Sequence, residues 1–558
     1  MTTRETAQIL KQLSLLMELH GENDFKAKAI GNAAFRLGKS GINLEGLSIE
    51  ELEKVDGIGK SIAAKIHEIQ TTGTLHELET IMMKTPVGVA EMLTVKGIGP
   101  KKVRTIWKDL GAESLIELLY ACNENRLILL DGFGAKTQES VKKAIEFSLS
   151  NAGKVHFATA EVVALELEKY FNEKFGTDSV SLTGSIRRKC EIIDCVELLI
   201  ATNNPEELKQ QLNSPLINQE TISFSENEAN FETLNRIKVK VYVCRELEFT
   251  RRLFETTGTA KHIIDCHLSK ENQHFNTEQE IYESIHLPFI IPEMREGLNE
   301  VELARSGKLT DIIELNNLRG ILHNHTTYSD GLNTLSEMAE RCKNDGYEYL
   351  GICDHSQTAV YANGLKPERI LQQQQEIDLL NKKLFPFRIF KGIESDILND
   401  GSLDYENSVL KTFDFVVASV HSNLKMNEEN ATERLIKAIE NPYTSILGHP
   451  TGRLLLAREG YPINHKKIIE ACAENNVIIE LNAHPYRLDI DWRWINYATE
   501  RGVMISINPD AHSVNGYADM YYGVCVARKG GLTNNKCFNV LTCEEISRYF
   551  SERKNKIP

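Results

Sequence analysis

The chain has 558 residues, 41% of them hydrophobic and 26% charged, and a formal net charge of −15. One core does not serve that length, so three or four domains are expected. Net acidity argues against a wholesale electrostatic grip on nucleic acid. No apolar run approaches the ~20 residues of a membrane span, so the expectation is a cytoplasmic protein without a membrane partner. The eleven cysteines are scattered and form no CxxC pair, which suits reduced thiols rather than a disulfide framework or zinc–thiolate knuckle.

Three repeats punctuate residues 1–150: VDGIGKS (Val55–Ser61), VKGIGPKK (Val95–Lys102) and LDGFGAK (Leu130–Lys136). Each places two glycines around one apolar residue and opens a helical pattern. The pairs Gly57/Gly59, Gly97/Gly99 and Gly132/Gly134 allow a tight helix-joining turn and bring bare N–H groups to a phosphate. Such contacts grip a backbone and read no bases. One GxG is usually only a turn. Three, each opening a helix, predict a helix-hairpin-helix region that binds DNA without sequence preference. Lys60, Lys101 and Lys102 are candidate phosphate contacts; their alternative role is as solvated surface charges.

The stretch FKAKAIGNAAFRL through the first hairpin resembles the small N-terminal domain of family X DNA polymerases. In some members that domain is a deoxyribose-phosphate lyase. The resemblance puts Lys65 at the Schiff-base position, a role that requires a lowered pKa.

In the middle third, GSIRRKCEIIDCVELLI matches the family's phosphate-binding turn at Gly184, Ser185 and Arg188. The family pattern then demands Asp-x-Asp on a strand and a third Asp on its neighbour. Here those positions are Cys195, Glu197 and Lys240, with Gly258 at the family's spacing of 18 residues beyond. A thiol and an ammonium cannot replace the hard oxygen ligands of two Mg²⁺ ions. An ion pair between Glu197 and Lys240 is the expected occupant of the vacated site. Residues 151–317 hold 18 Lys+Arg against 28 Asp+Glu, a net of −10 and a poor phosphate surface. The expectation is a palm retained as architecture, without polymerase activity.

From Leu318 short apolar runs alternate with amphipathic helical patterns: RGILHNH, YLGICDH, RIFKGIE, FVVASVH, SILGHP, VIIELNAH and VMISINPDAH. That alternation predicts a parallel α/β barrel with its active residues at the C-terminal strand ends. At those ends fall His323, His325, Asp330, His355, Glu394, His421, His449, Asp510 and His512. Six of the region's eight histidines belong to this set. A lone histidine is usually structural, whereas nine nitrogen and oxygen ligands at one barrel mouth predict metal. Imidazole and carboxylate ligands without thiolate suit Mn, Zn or Fe. Arg453 and Arg487, just past strand ends, are candidate phosphate holders, with surface ion pairing as the alternative.

These motifs (HNHTTYSDG, GICDHS, GIESDI, ASVHS, GHPTGR, NPDAHS) resemble the PHP (polymerase and histidinol phosphatase) family. The resemblance implies a seven-stranded, TIM-like barrel holding two or three divalent ions, Glu394 bridging two of them. It also implies metal-assisted phosphoester hydrolysis, with His323, His325, Glu394, Asp510 and His512 at its centre. His484 stands where relatives tend to carry Asn.

The whole order resembles bacterial family X DNA polymerases of the polymerase/3′→5′ exonuclease type. It implies a multidomain fold: an α-helical lyase-like hairpin domain (1–85), a fingers-like hairpin domain (86–150), an α+β nucleotidyltransferase-like palm and thumb (151–310), and the α/β PHP barrel (318–558). The expected activity is a metal-dependent DNA phosphodiesterase in repair, a 3′→5′ exonuclease with abasic-site incision as a further option. Its substrate would be gapped, single-stranded or damaged DNA. The competing readings are a working polymerase, a small-molecule phosphatase of the histidinol-phosphate kind, and a non-catalytic DNA-binding scaffold.

Overall fold

A computed structural model describes every residue except 1, 40, 41, 43, 45, 125, 226, 269–272 and 556–558. The chain divides into two compact units, Met1–Ala152 and Gly153–Pro558.

The first unit is helical. One core, running from Ala7 and Leu10 through Ile66 and Val103 to Ile145, spans both predicted hairpin segments. All three GxG repeats adopt one geometry. The first glycine of each takes a positive φ (Gly57 83°, Gly97 99°, Gly132 82°), a conformation that side chains with a Cβ resist. The second (Gly59, Gly99, Gly134) is the N-cap of the following helix and makes no side-chain cap. A Cβ built on any of these three would meet nothing within 4 Å. Close packing therefore does not explain the glycines there; open approach to the helix N–H groups does.

Among its described residues the second unit holds two sheets and a short ribbon. The ribbon pairs β1 (Val155–His156) antiparallel with β3 (Ile192–Ile193). A five-stranded mixed sheet takes the order β2 (Val180–Thr183), β4 (Val196–Ala201), β7 (Lys238–Cys244), β6 (Glu228–Thr233), β5 (Ile217–Ser225). A seven-stranded, all-parallel sheet runs in strict chain order from β8 to β14. Its strands are β8 (Gly320–Leu322), β9 (Tyr349–Ile352), β10 (Arg388–Asp396), β11 (Phe415–Ser419), β12 (Ile446–Leu447), β13 (Ile478–Asn482) and β14 (Ile505–Asn508). Six lie within the predicted runs, and β10 continues two residues past RIFKGIE, to Asp396. Asn539 ties the first strand to the last, its Nδ2 donating to Gly320 O and Ile507 O, so the barrel is nearly closed.

Strand alternation sorts the barrel core. Leu322, Phe390, Phe415, Val417 and Ile446 point inward with Phe538 and Phe550, while Ile321, Ile389, Val416 and Leu447 pack outward. Phe415 needs glycine neighbours: a Cβ on Gly351 or Gly392 would lie 2.6 or 2.5 Å from its ring. Ring stacking of Phe415 on Phe550, 5.0 Å between centroids, fills one end of the barrel. The opposite end is left to polar side chains.

Candidate metal centre

The ligand-type residues gather at the C-terminal ends of the barrel strands. His323 and His325 follow β8, His355 follows β9, Glu394 lies within β10, His421 follows β11, His449 follows β12, and Asp510 and His512 follow β14. Two of them occupy uncommon backbone conformations, His323 at φ 108° and Asp510 at φ 52°. A non-glycine residue persists there only when its surroundings hold it, a feature that clusters at functional sites.

Three overlapping sets bring ligand atoms within 4.8 Å of one another: His325, Asp330, His355 and His512; His323, His325 and Asp510; and His355, Glu394 and His421. Eight of the nine predicted ligands are in these sets. His449 stands outside them, with its Nε2 3.2 Å from Glu394 Oε1. Glu394 sits between groups. Its Oε1 is 3.3 Å from His323 Nε2 and 3.1 Å from His421 Nε2, and its Oε2 is 2.8 Å from His355 Nδ1.

Closeness here is not always hydrogen bonding. His355 Nδ1 and Glu394 Oε2, although 2.8 Å apart, are not aligned for a bond, and both are buried without a partner. His323 Nε2, His325 Nδ1 and His449 Nδ1 are orphaned in the same way. Buried polar atoms are almost always satisfied, so five unsatisfied ones on the residues of one barrel mouth mark that mouth as a ligand site. The donor set, imidazole and carboxylate, fits divalent cations.

Electrostatics point the same way. Burial alone would lower the histidines, yet the carboxylates overcome it: Glu394 and Asp396 push His421 up to about 10, and Asp330 and Asp510 push His512 up to about 9. His325 is drawn down to about 3 by burial and by His512 and His355. Burial would raise Glu394 and Asp510, but the surrounding imidazoles hold both well below the usual carboxylate range. The pocket calls for positive charge.

Residues outside the predicted set orient the ligands. Glu480 is fully buried on β13 and accepts from His323 Nδ1 at 2.7 Å, which leaves Nε2 facing the pocket; Asn508 Nδ2 and His449 N also donate to it. Asp396 takes the Nδ1 side of His421 and so frees its Nε2. Asp354 accepts from Thr326, Ser329 and Gln373 and braces the loop that carries Asp330. A carboxylate inside an apolar run such as VIIELNAH must be paired if buried, and that was the available signal.

The two candidate arginines differ. Arg487 Nε is 3.8 Å from Asp510 Oδ2, at the pocket. Arg453 does not serve as a free phosphate holder: its guanidinium is used up on Asp491, Arg487 O and Leu488 O. His484 joins no ligand set; its Nδ1 accepts from Tyr486 N.

In the five-stranded sheet, Cys195 precedes β4, and Glu197 and Lys240 are register partners on β4 and β7. The expected Glu197–Lys240 ion pair is not formed. Lys240 pairs with Glu228 at 3.3 Å. Glu197 instead accepts from Ser185 N at 3.1 Å and Tyr242 OH at 3.0 Å, and a Cβ on Gly184 would lie 1.7 Å from its Oε2. The protein's own carboxylate therefore fills the glycine turn. Arg188 is bound to Glu296, at 3.0 Å, and to Thr257 O. In the first unit the Lys65 ammonium is ion-paired with Glu77 and is not free to attack an aldehyde carbon. Lys60 and Lys101 are exposed, and Lys102 lies over the Phe133 ring.

Fold and site together define a metal-dependent phosphoesterase barrel joined to DNA-binding hairpins, and comparison with known proteins agrees. Residues 322–484 match the PHP domain, residues 1–75 a helix-hairpin-helix domain, and residues 89–146 a SAM-like helix-hairpin-helix tandem. The chain is 33% identical to the DNA polymerase/3′-5′ exonuclease PolX of Bacillus subtilis, over 98% of its own length and 99% of that protein. It therefore belongs to the PolX family, the bacterial family X DNA polymerases with a C-terminal PHP domain. It is also 28% identical to a probable phosphatase of Thermoanaerobacter sp., over 42% of this chain and 95% of that one. Another probable phosphatase, from Acetivibrio thermocellus, is 30% identical over 34% of this chain and 78% of its own. No helix among the described residues is long and apolar enough to cross a membrane.

Proposed function

We propose that this chain is a metal-dependent DNA 3′→5′ exonuclease acting in repair, with its chemistry in the barrel and a polymerase module that no longer polymerises. The observation that carries the nuclease is the cluster of three ligand sets at one barrel mouth, with four buried imidazole nitrogens and Glu394 Oε2 left without partners. Two or three divalent ions, Mn, Zn or Fe, would be held by His323, His325, Asp330, His355, Glu394, His421, His449, Asp510 and His512. When bound, they supply Lewis acidity toward a phosphoryl oxygen and activate water.

The remaining roles belong to side chains. Glu480 and Asp396 hold His323 and His421 with their Nε2 lone pairs inward. Arg487, beside Asp510, is placed to take a phosphate oxygen. The hairpins at Gly57–Lys60, Gly97–Lys102 and Gly132–Gly134 retain DNA through helix N-termini and without base preference. Gapped, single-stranded or damaged DNA is the substrate class that follows.

The loss of polymerase activity rests on Cys195, Glu197 and Lys240, and on a phosphate turn already filled from within by Glu197. Lyase chemistry at Lys65 is left out because of its ion pair with Glu77. The relatives described as probable phosphatases favour one second reading, a small-molecule phosphomonoesterase; the hairpins would then have no ligand.

The test incubates the full chain with end-labelled single-stranded and gapped DNA and Mn²⁺, with and without nucleotides, beside His323→Ala. Shortening that the substitution abolishes supports the nuclease. Template-dependent extension overturns the reading of the palm. Phosphate release from histidinol phosphate without DNA shortening favours the phosphatase.

A further inference from the structure

One side chain of the palm-like region reaches the barrel mouth. His156, the last residue of β1, has its Nε2 3.0 Å from Leu455 O, and its ring lies 4.3 Å from that of Tyr486 at an interplanar angle of 34°. Tyr486 is fixed at its backbone as well: its N donates to His484 Nδ1 at 3.2 Å and its O accepts from Leu455 N at 2.7 Å. Half of the residue remains in solvent, 50% exposed. It directly precedes Arg487, whose guanidinium reaches Asp510 in the metal pocket. A second exposed ring, Tyr361 at 66%, sits on the loop after β9 with its centroid 6.3 Å from that of His355.

We propose that Tyr486, backed by His156, and Tyr361 form a stacking platform for the unpaired nucleobases of the strand end whose phosphodiester enters the pocket. This deepens the nuclease reading and rests on it. Arg487 and the divalent ions the pocket would hold act on the phosphodiester and not on the base. Affinity for the base-bearing part of the strand end must therefore come from surfaces that do not depend on charge. Every base has a π face, so aromatic stacking is strong and indifferent to sequence, as an exonuclease that removes whatever base comes next requires. A ring clamped by a histidine from another element is oriented before the base arrives, which spares the ordering cost of binding. The palm thus acquires a part in the exonuclease. The substrate class narrows to base-bearing phosphodiesters with single-stranded ends.

The full chain is mixed, in Ca²⁺, with a single-stranded oligonucleotide carrying 2-aminopurine at its 3′ end, whose fluorescence falls on stacking. Wild type and Tyr486→Phe are expected to quench it. Tyr486→Ala, Tyr361→Ala and His156→Ala, checked for unchanged melting, are expected to weaken quenching and raise Kd by ~5-fold or more. In Mn²⁺ kinetics Tyr486→Ala should raise KM by ~10-fold on ordinary ends with kcat within about 2-fold. It should change nothing on an oligonucleotide whose terminal residues are abasic. Absence of quenching by wild type, or an equal effect on ordinary and abasic ends, overturns the platform. Quenching without any DNA shortening by wild type would instead sink the nuclease, so the two failures are read separately.

Discussion

The phosphate turn of the palm and the mouth of the barrel are both places where family members handle phosphate, and they are finished in opposite ways. Around Gly184 the polar groups are satisfied from within: Ser185 N and Tyr242 OH hold Glu197, Arg188 is spent on Glu296 and Thr257 O, and Lys529 bonds Arg188 O. At the mouth His323 Nε2, His325 Nδ1, His355 Nδ1, Glu394 Oε2 and His449 Nδ1 are buried and bonded to nothing. Leaving a buried polar group unmade costs ~1–3 kcal/mol. A fold tolerates five such groups together only where a ligand repays the cost. A site that no longer binds can relax into internal hydrogen bonds; a working one keeps its donors open.

The sharpest way to break this comparison is at Glu394. Glu394→Gln keeps the shape but removes the charge that several imidazoles share, and hydrolysis should fall by on the order of 10³-fold, about 4 kcal/mol. Chelation of the wild type should do the same, with recovery on adding Mn²⁺; full activity in chelator would contradict the metal centre. The next effect is expected from the positioning carboxylates. Glu480→Gln and Asp396→Asn should each weaken metal affinity by ~10–100-fold, measured by calorimetric titration, and saturating metal should restore much of the lost rate.

Much of this was legible in the sequence because one physical rule carried it. Buried parallel strands read as continuous apolar runs, and six of the seven runs carry near their ends the His, Asp or Glu side chains that lie at the barrel mouth. Glu480 escaped because it lies in the middle of its run rather than at the end. Asp396 escaped because only a contact with His421, 25 residues away, reveals it. In the palm, Lys240 and Glu197 were correctly placed as neighbours, but their pairing was not. Register fixes backbone neighbours, whereas the side chains chose Glu228 and Ser185 N as better partners. Arg453 looked like Arg487 in sequence, and only the backbone carbonyls around its guanidinium distinguish them.

The palm side of the comparison predicts a gain. Removing the internal anion by Glu197→Ala should open the turn, so that inorganic triphosphate, expected to show no measurable binding to the wild type, binds in the millimolar range by calorimetry. That corresponds to about −4 kcal/mol. Primer extension is expected neither before nor after the substitution, since Lys240 and Cys195 deny the site its metal ligands. Unchanged triphosphate binding would mean that Glu197 is not what fills the turn.

The smallest effect lies on the helix Met520–Lys529, along which the barrel meets the palm through Tyr521 and Glu161. Asp519 stands at its start, partly buried, and makes no capping hydrogen bond. Burial alone pushes its carboxyl up to about 7. A carboxyl whose folded pKa lies above its unfolded value opposes folding once it must ionise. Stability is therefore full below about pH 4 and declines as pH rises toward 7. Asp519→Asn removes that ionisation. It should leave the melting temperature unchanged at pH 4 and raise it by about 1–2 °C at pH 8, read by calorimetry on the full chain. A gain of the same size at both pH values would trace the effect to packing rather than charge. A loss at pH 8 would mean that the ionised carboxylate serves the helix N-terminus after all, and that this seam, unlike the closed phosphate turn, still has a use for its charge.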